Sequence, residues 1–172
     1  MTADEKREIL ARLDRGRKAL VDALDGVTAE VAARAPGPGR WSILECVEHI
    51  VSSEDHLYGQ ILKATAAAEP VTDARREALI LVRGTDRSQR YKAPEPSQPR
   101  GKFTALPAAL DHFLESRERT IHFVEANRED LRARITTHPL LGTVNCYETL
   151  LLMAEHPLRH VQQIEEIKAA VG

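Results

Sequence analysis

Apolar residues recur at intervals of three and four along four long stretches of this chain, with charged residues between them, the pattern of amphipathic helices. From about Asp4 to Asp25 the apolar face is Ile9, Leu10, Leu13, Leu20, Ala23 and Leu24. Gly16 interrupts it, lowering helix propensity while admitting a close neighbour. A short capped turn is expected over Thr28–Ala33, stopped by Pro36-Gly37-Pro38-Gly39. Ser42-x-x-Glu45 is a capping box, with Trp41 and Cys46 at the staple positions, and opens a second helix expected to run to about Ala67. Its apolar arc is Ile43, Leu44, Val47, Ile50, Val51, Leu57, Tyr58 and Ile61. Beside that arc runs a stripe of small and polar residues: Cys46, His49, Ser53, His56 and Gln60.

The segment from about Glu69 to Lys102 contains Pro70, Pro94, Pro96 and Pro99, with a short helix around Asp73 to Val82. It is too long for a hairpin between adjacent helices and reads as a crossover. A third helix follows from about Thr104 to Ala126, with Leu106, Leu110, Phe113, Leu114, Ile121 and Val124 on one face. Arg117 shares that face, paired with a buried carboxylate or turned to a substrate anion. His112 and His122 fall off it and are expected to be solvated. His138–Gly142 reads as a loop, with His138 near the mouth of any site. Asn145-x-x-Glu148 is another capping box and opens the fourth helix, which carries Cys146, Thr149, Met153, His156, His160, Gln163, Ile164 and Ile167 on one side. The pattern predicts an all-α fold: one domain over residues 1–172, a four-helix bundle with one long crossover between helices two and three.

Composition narrows the function classes. A hydrophobic fraction of 42% with only 4% aromatic residues predicts a core of Leu, Ile, Val and Ala. Lys plus Arg number 24 against 26 for Asp plus Glu, a net charge of -2 without long single-sign runs, so no nucleic-acid partner is expected. The longest apolar runs, such as Leu79–Val82 and Leu150–Met153, are far too short for a membrane span, and the charged N-terminus shows no signal-peptide pattern. Cys46 and Cys146 form no disulfide framework, which fits a reduced, cytoplasmic protein; both read as inert packed thiols.

The candidate chemistry sits in the fourth helix. His156 and His160, four apart, stack on its core face, where each ring needs a hydrogen-bond partner or a metal; satisfied core histidines and a metal site both remain open at this point. The zincin motif is excluded because Pro157 stands where its glutamate belongs, and di-iron bundles because no histidine has Glu three residues before it. What remains is a mononuclear site, with His49 as the candidate third ligand and His56 in reserve. Gln163 shares the face of the pair and is a candidate supporting or substrate contact. Pro157 removes an amide between the two histidines and predicts a kink that keeps both rings inward.

Trp41-Ser42 with His49 eight residues after the tryptophan, Tyr91-Lys92-Ala93-Pro94 in the crossover, His138-Pro139-Leu140-Leu141-Gly142, and His156-x-x-x-His160 followed by Gln163-Ile164 together resemble the DinB-like superfamily of four-helix bundles. The resemblance spans about Trp41 to Gln163. It implies up-down-down-up connectivity and a divalent metal (zinc, nickel, iron or manganese) on residues matching His49, His156 and His160, with an open position for water. It also implies a small-molecule substrate, members that assemble as homodimers, and activities that include thiol-dependent S-transfer with a low-molecular-weight thiol and metal-dependent hydrolysis. The leading expectation is a thiol-dependent S-transferase acting on a small electrophile, supported at the site by Gln163 or Arg117. Hydrolysis and a non-catalytic metal-binding module of the stress response are the alternatives.

Overall fold

The protein is described here from a computed structural model, covering residues 1–88 and 91–172. The long helices are α1 (Ala3–Leu24), α3 (Ile43–Leu62), α5 (Leu106–Ala126) and α6 (Cys146–Val171), with shorter α2 (Ala29–Ala33) and α4 (Ala74–Arg83) between them. Capping boxes close the N-termini of α3 at Ser42/Glu45 and of α6 at Asn145/Glu148, and a further one closes α1 at Thr2/Glu5. In α4, Asp73 accepts from the amides of Arg75 and Arg76.

The fold is mostly helical but not all-α. β1 (Thr65–Ala66), β2 (Arg134–His138) and β3 (Gly142–Asn145) form a small antiparallel sheet in the order β1-β2-β3. The second long helix therefore stops at Leu62 and not near Ala67. Lys63 caps it, and Thr65 and Ala66 pair with Ile135 and Arg134. The alanine-rich composition of 64–68 suits a helix, but the open edge of β2 offers backbone partners that a frayed helix end lacks. Likewise His138–Gly142 is a hairpin turn, with Gly142 at φ 71, and its strands are the β-branched runs Ile135-Thr136-Thr137 and Thr143-Val144. Strands this short carry too little alternation to stand out in the sequence.

Two apolar clusters fill the bundle. One joins Ile9 and Leu13 of α1, Leu57 and Ile61 of α3, Val124 of α5, and Leu150, Leu151 and Met153 of α6. The other joins Leu20 and Leu24, Ile43 to Val51, Leu106 to Phe113, and Ile164 and Ile167. At intermediate positions of the four helices stand Gly16, Glu54, Arg117 and Pro157, a polar level inside an apolar bundle. Arg117 is fully buried: Nε and Nη2 donate to the two Glu54 carboxylate oxygens at 3.0 and 2.9 Å, Nη1 donates to the Leu13 carbonyl at 2.8 Å, and Nη2 also donates to the Met153 carbonyl at 2.8 Å. Thr120 Oγ1 donates to Glu54 at 3.1 Å. A buried charge pair is tolerable only when its other polar groups are engaged, and here every guanidinium nitrogen donates and both Glu54 oxygens accept.

The segment between α3 and α5 is held to the bundle at several points. Glu48, buried on α3, accepts the amides of Arg100 at 2.5 Å and Lys102 at 3.1 Å. From α4, Arg76 reaches Glu148 at 2.8 Å, and beyond its end Arg87 pairs with Glu166 on α6. These ties carry a 3₁₀ turn, Glu95–Ser97, against α3. Among the described residues no helix is long and apolar enough to cross a membrane.

Candidate metal centre

α3 and α6 bring His49, His156 and His160 together. The Nε2 of His156 lies 3.1 Å from His49 Nε2 and 3.0 Å from His160 Nε2, and each of the three offers a ligand atom within 4.8 Å of the others. His49 and His160 are buried at 5% and 6% exposure, and His156 is partly buried. Helix α6 runs unbroken through Pro157, so the four-residue spacing keeps both of its histidines on one face.

Neighbours fix the orientation of two rings. The His49 Nδ1–H donates to the Ser97 carbonyl at 2.6 Å, and the His160 Nδ1–H donates to Gln163 Oε1 at 3.0 Å. A neutral ring whose Nδ1 carries the proton presents its lone pair at Nε2. Trp41 stacks at 4.9 Å from the His49 ring and braces it. Arg87 Nη1 donates to the same Gln163 oxygen at 2.9 Å while its other nitrogens grip Glu166. The Gln163 amide is thus held with its oxygen toward His160.

Burial is the first cause that pushes His156 and His160 well below the ordinary histidine value, with the neighbouring histidines adding to it. His49 is lowered too, by burial, against the opposing pull of the Ser97 carbonyl. The rings are therefore neutral near pH 7, and nitrogen lone pairs converge where protonation is disfavoured. That donor set fits a divalent cation. Zinc–nitrogen bonds of about 2.0–2.1 Å would hold tetrahedrally disposed nitrogens about 3.3 Å apart, close to the 3.1 and 3.0 Å separations of these rings.

The three histidines line a cavity of about 390 Å³, a size that suits a small molecule. Trp41, Leu57, Ile80, Leu140 and Leu152 give it apolar walls, and Gln163 also lines it. His56 lines it as well, outside the three-histidine cluster, with its Nε2 accepting from Gln60 Nε2 at 3.0 Å. His138 lines it from β2; its Nδ1 accepts the Leu140 amide at 3.2 Å, which leaves the proton of the neutral ring on Nε2. Arg117 is not among the lining residues and is occupied by Glu54. Cys46 and Cys146 are buried outside the cavity, their thiols pushed up to about 12 and about 11 by burial. His122 is solvated, as its position predicts. His112 is half-buried and bonded to Asp55 at 3.0 Å, contrary to that expectation, because Phe103 and α3 cover it.

The family model of the DinB superfamily matches residues 12–164. This chain belongs to the DinB superfamily. Among solved structures it is similar to YfiT from Bacillus subtilis, described as "a probable metal-dependent hydrolase with an unusual four-helix bundle topology". The TM-score is 0.64 at 15% sequence identity, covering 98% of this chain and 89% of that one, so the likeness is one of fold. Comparison with curated proteins gave no match.

Sequence reasoning missed Ser97 and Arg87, the residues that hold this DinB chain's histidines in place. Ser97 acts through its backbone carbonyl, which no side-chain motif records. Arg87 lies past the end of α4 at Arg83, where no helical spacing relates it to the histidines.

Proposed function

We propose that this chain is a divalent-metal-dependent enzyme that joins a low-molecular-weight thiol to a small electrophile, with His49, His156 and His160 as the metal ligands. The observation that carries the reading is the convergence of three buried imidazoles, two with their Nε2 lone pairs set by neighbours, on the wall of a small-molecule cavity. A divalent cation bound there supplies positive charge that lowers the pKa of a thiol or water and polarises a carbonyl. The chain's own residues do the rest. Ser97 and Gln163 keep Nδ1–H of His49 and His160 engaged, Trp41 and Leu57 exclude water from one side, and the cavity leaves room for two small reactants. In the transfer, the thiol loses its proton to solvent, its sulfur bonds the electrophilic carbon, and the leaving group departs with the bonding pair. Both protein thiols are buried and poorly ionised, so the nucleophilic sulfur comes from a free thiol.

Hydrolysis is the second reading, favoured by the description of the similarly folded YfiT. The up-down-down-up connectivity belongs to the same proposal. The order of residues in the two apolar clusters supports it, since α1 and α6 pass from the first cluster to the second while α3 and α5 pass the other way. The deciding experiment measures turnover of an alkyl halide and of an activated ester by the zinc- or nickel-loaded chain, with and without a panel of small thiols. Thiol-dependent turnover lost in His49→Ala is expected. Thiol-independent ester cleavage lost in the same variant would favour hydrolysis, and metal binding without either turnover would favour the non-catalytic module.

A further inference from the structure

Cationic side chains crowd the wall of the histidine cavity. Arg40, Arg83, Arg87, Lys92 and Arg159 all line it, whereas Glu155 is the one carboxylate among the described lining residues. That carboxylate is already satisfied, because its oxygens accept from Arg12 at 2.8 Å and from Arg15 at 2.7 and 2.8 Å. Arg87 spends its guanidinium on Gln163 and Glu166. Arg40, Arg83 and Lys92 have no carboxylate partner among the described residues. The guanidinium of Arg83 lies 5.6 Å from the Tyr91 ring centroid and that of Arg159 lies 5.5 Å from the same ring, so one aromatic residue brings two like charges to the cavity wall. The chain as a whole carries a net charge of -2, which makes this concentration local and not a reflection of overall composition.

Like charges held together in a concave site repel one another and raise the local concentration of anions. Planar guanidinium groups meet the oxygens of a carboxylate or phosphate with paired hydrogen bonds. We infer that the cavity takes a small molecule bearing a carboxylate or phosphate group, received by Arg83 and Arg40 while the rest of the molecule extends toward the histidines. The inference rests on the proposed catalytic reading only for that last placement. The anion-receiving wall comes from α4, the 36–40 loop and the crossover, none of which supplies a histidine of the cluster.

The test uses the full chain after chelation, so that no metal competes for the anion, titrated with inorganic phosphate and with succinate and followed by chemical-shift changes; glycerol is the neutral control. Saturable binding of at least one anion, and none of glycerol, is expected. Arg83→Gln and Arg40→Gln should each weaken it roughly tenfold, the usual worth of one charge-assisted contact. Arg83→Lys should recover part of the loss, and Arg7→Gln, at an exposed position of α1 outside the cavity lining, should change nothing. Circular dichroism of each variant verifies folding, and the exposed Arg40 variant keeps the test open if Arg83→Gln is unstable. Absence of saturable binding, equal binding by the Gln variants, or binding that appears only once zinc is added would overturn the inference. Zinc stoichiometry of the same variants is a separate readout: the Gln variants should bind zinc like wild type, and failure of zinc to depend on His49 would sink the metal assignment while leaving the anion site standing.

Discussion

Arg117 donates a hydrogen bond to the carbonyl of Met153 at 2.8 Å, the acceptor that Pro157 leaves without its helical amide. A proline inside a helix ordinarily kinks it because a buried carbonyl goes unpaired and the ring crowds it. Here a side chain from another helix fills the vacancy, and Gly16 of α1 leaves the space: a Cβ at that position would lie 2.7 Å from the Ala154 carbonyl. The helix stays continuous where two candidate ligands flank the proline.

Removing Arg117 should therefore unfold more than one contact suggests. Arg117→Met leaves Glu54 buried without its counter-charge, and returns the Met153 carbonyl, which Pro157 deprives of a helical amide, to an unsatisfied state. A loss of about 3–5 kcal/mol is expected in urea denaturation. Arg117→Lys should recover little, since an ammonium does not span a forked carboxylate and two carbonyls.

Gly16→Ala tests the close approach directly. Because the obstructing atom is backbone and not a flexible side chain, α1 and α6 must separate, at a cost of about 1–3 kcal/mol. A thermal midpoint equal to wild type would show that the helices are not this close. Gly84→Ala should behave alike, its added methyl meeting Glu155 Cβ at 2.3 Å.

Metal affinity should depend on residues that do not touch the metal. Gln163→Leu frees the His160 ring and is expected to weaken zinc binding by about 10–100-fold in competition with a chromophoric chelator. Arg87→Met should weaken it less, through a looser Gln163 amide. Ser97→Ala should leave affinity close to wild type, because His49 is held by the backbone carbonyl that alanine retains.

The folded state of the metal-free chain should lose stability as pH falls. His49, His156 and His160 have lowered pKa values in the folded state, so below the unfolded value of about 6.5 the unfolded chain binds more protons than the native one. Stability is fully present above that value and declines below it. Each histidine contributes at most about 1.4 kcal/mol per pH unit there. Denaturation curves between pH 8 and pH 5 should show the decline, and His156→Gln should flatten it; an identical slope in that variant would contradict the burial of neutral imidazoles.

Much of this was written locally in the chain. Heptad-like spacing and the Ser42/Glu45 and Asn145/Glu148 boxes announce the long helices, because their hydrogen bonds close within a few residues of one another. The same locality marks His156 and His160 as one face. The sheet was not legible: Thr65–Ala66 becomes a strand only because residues 134–138, distant in sequence, offer an edge. Nor were the Arg117–Met153 bond, the Ser97 carbonyl behind His49, or the cationic wall around the histidines, since each joins residues from separate elements. Periodicity encodes which side of a helix is buried; which partner it meets there depends on how the helices pack, and that the tertiary structure alone decided.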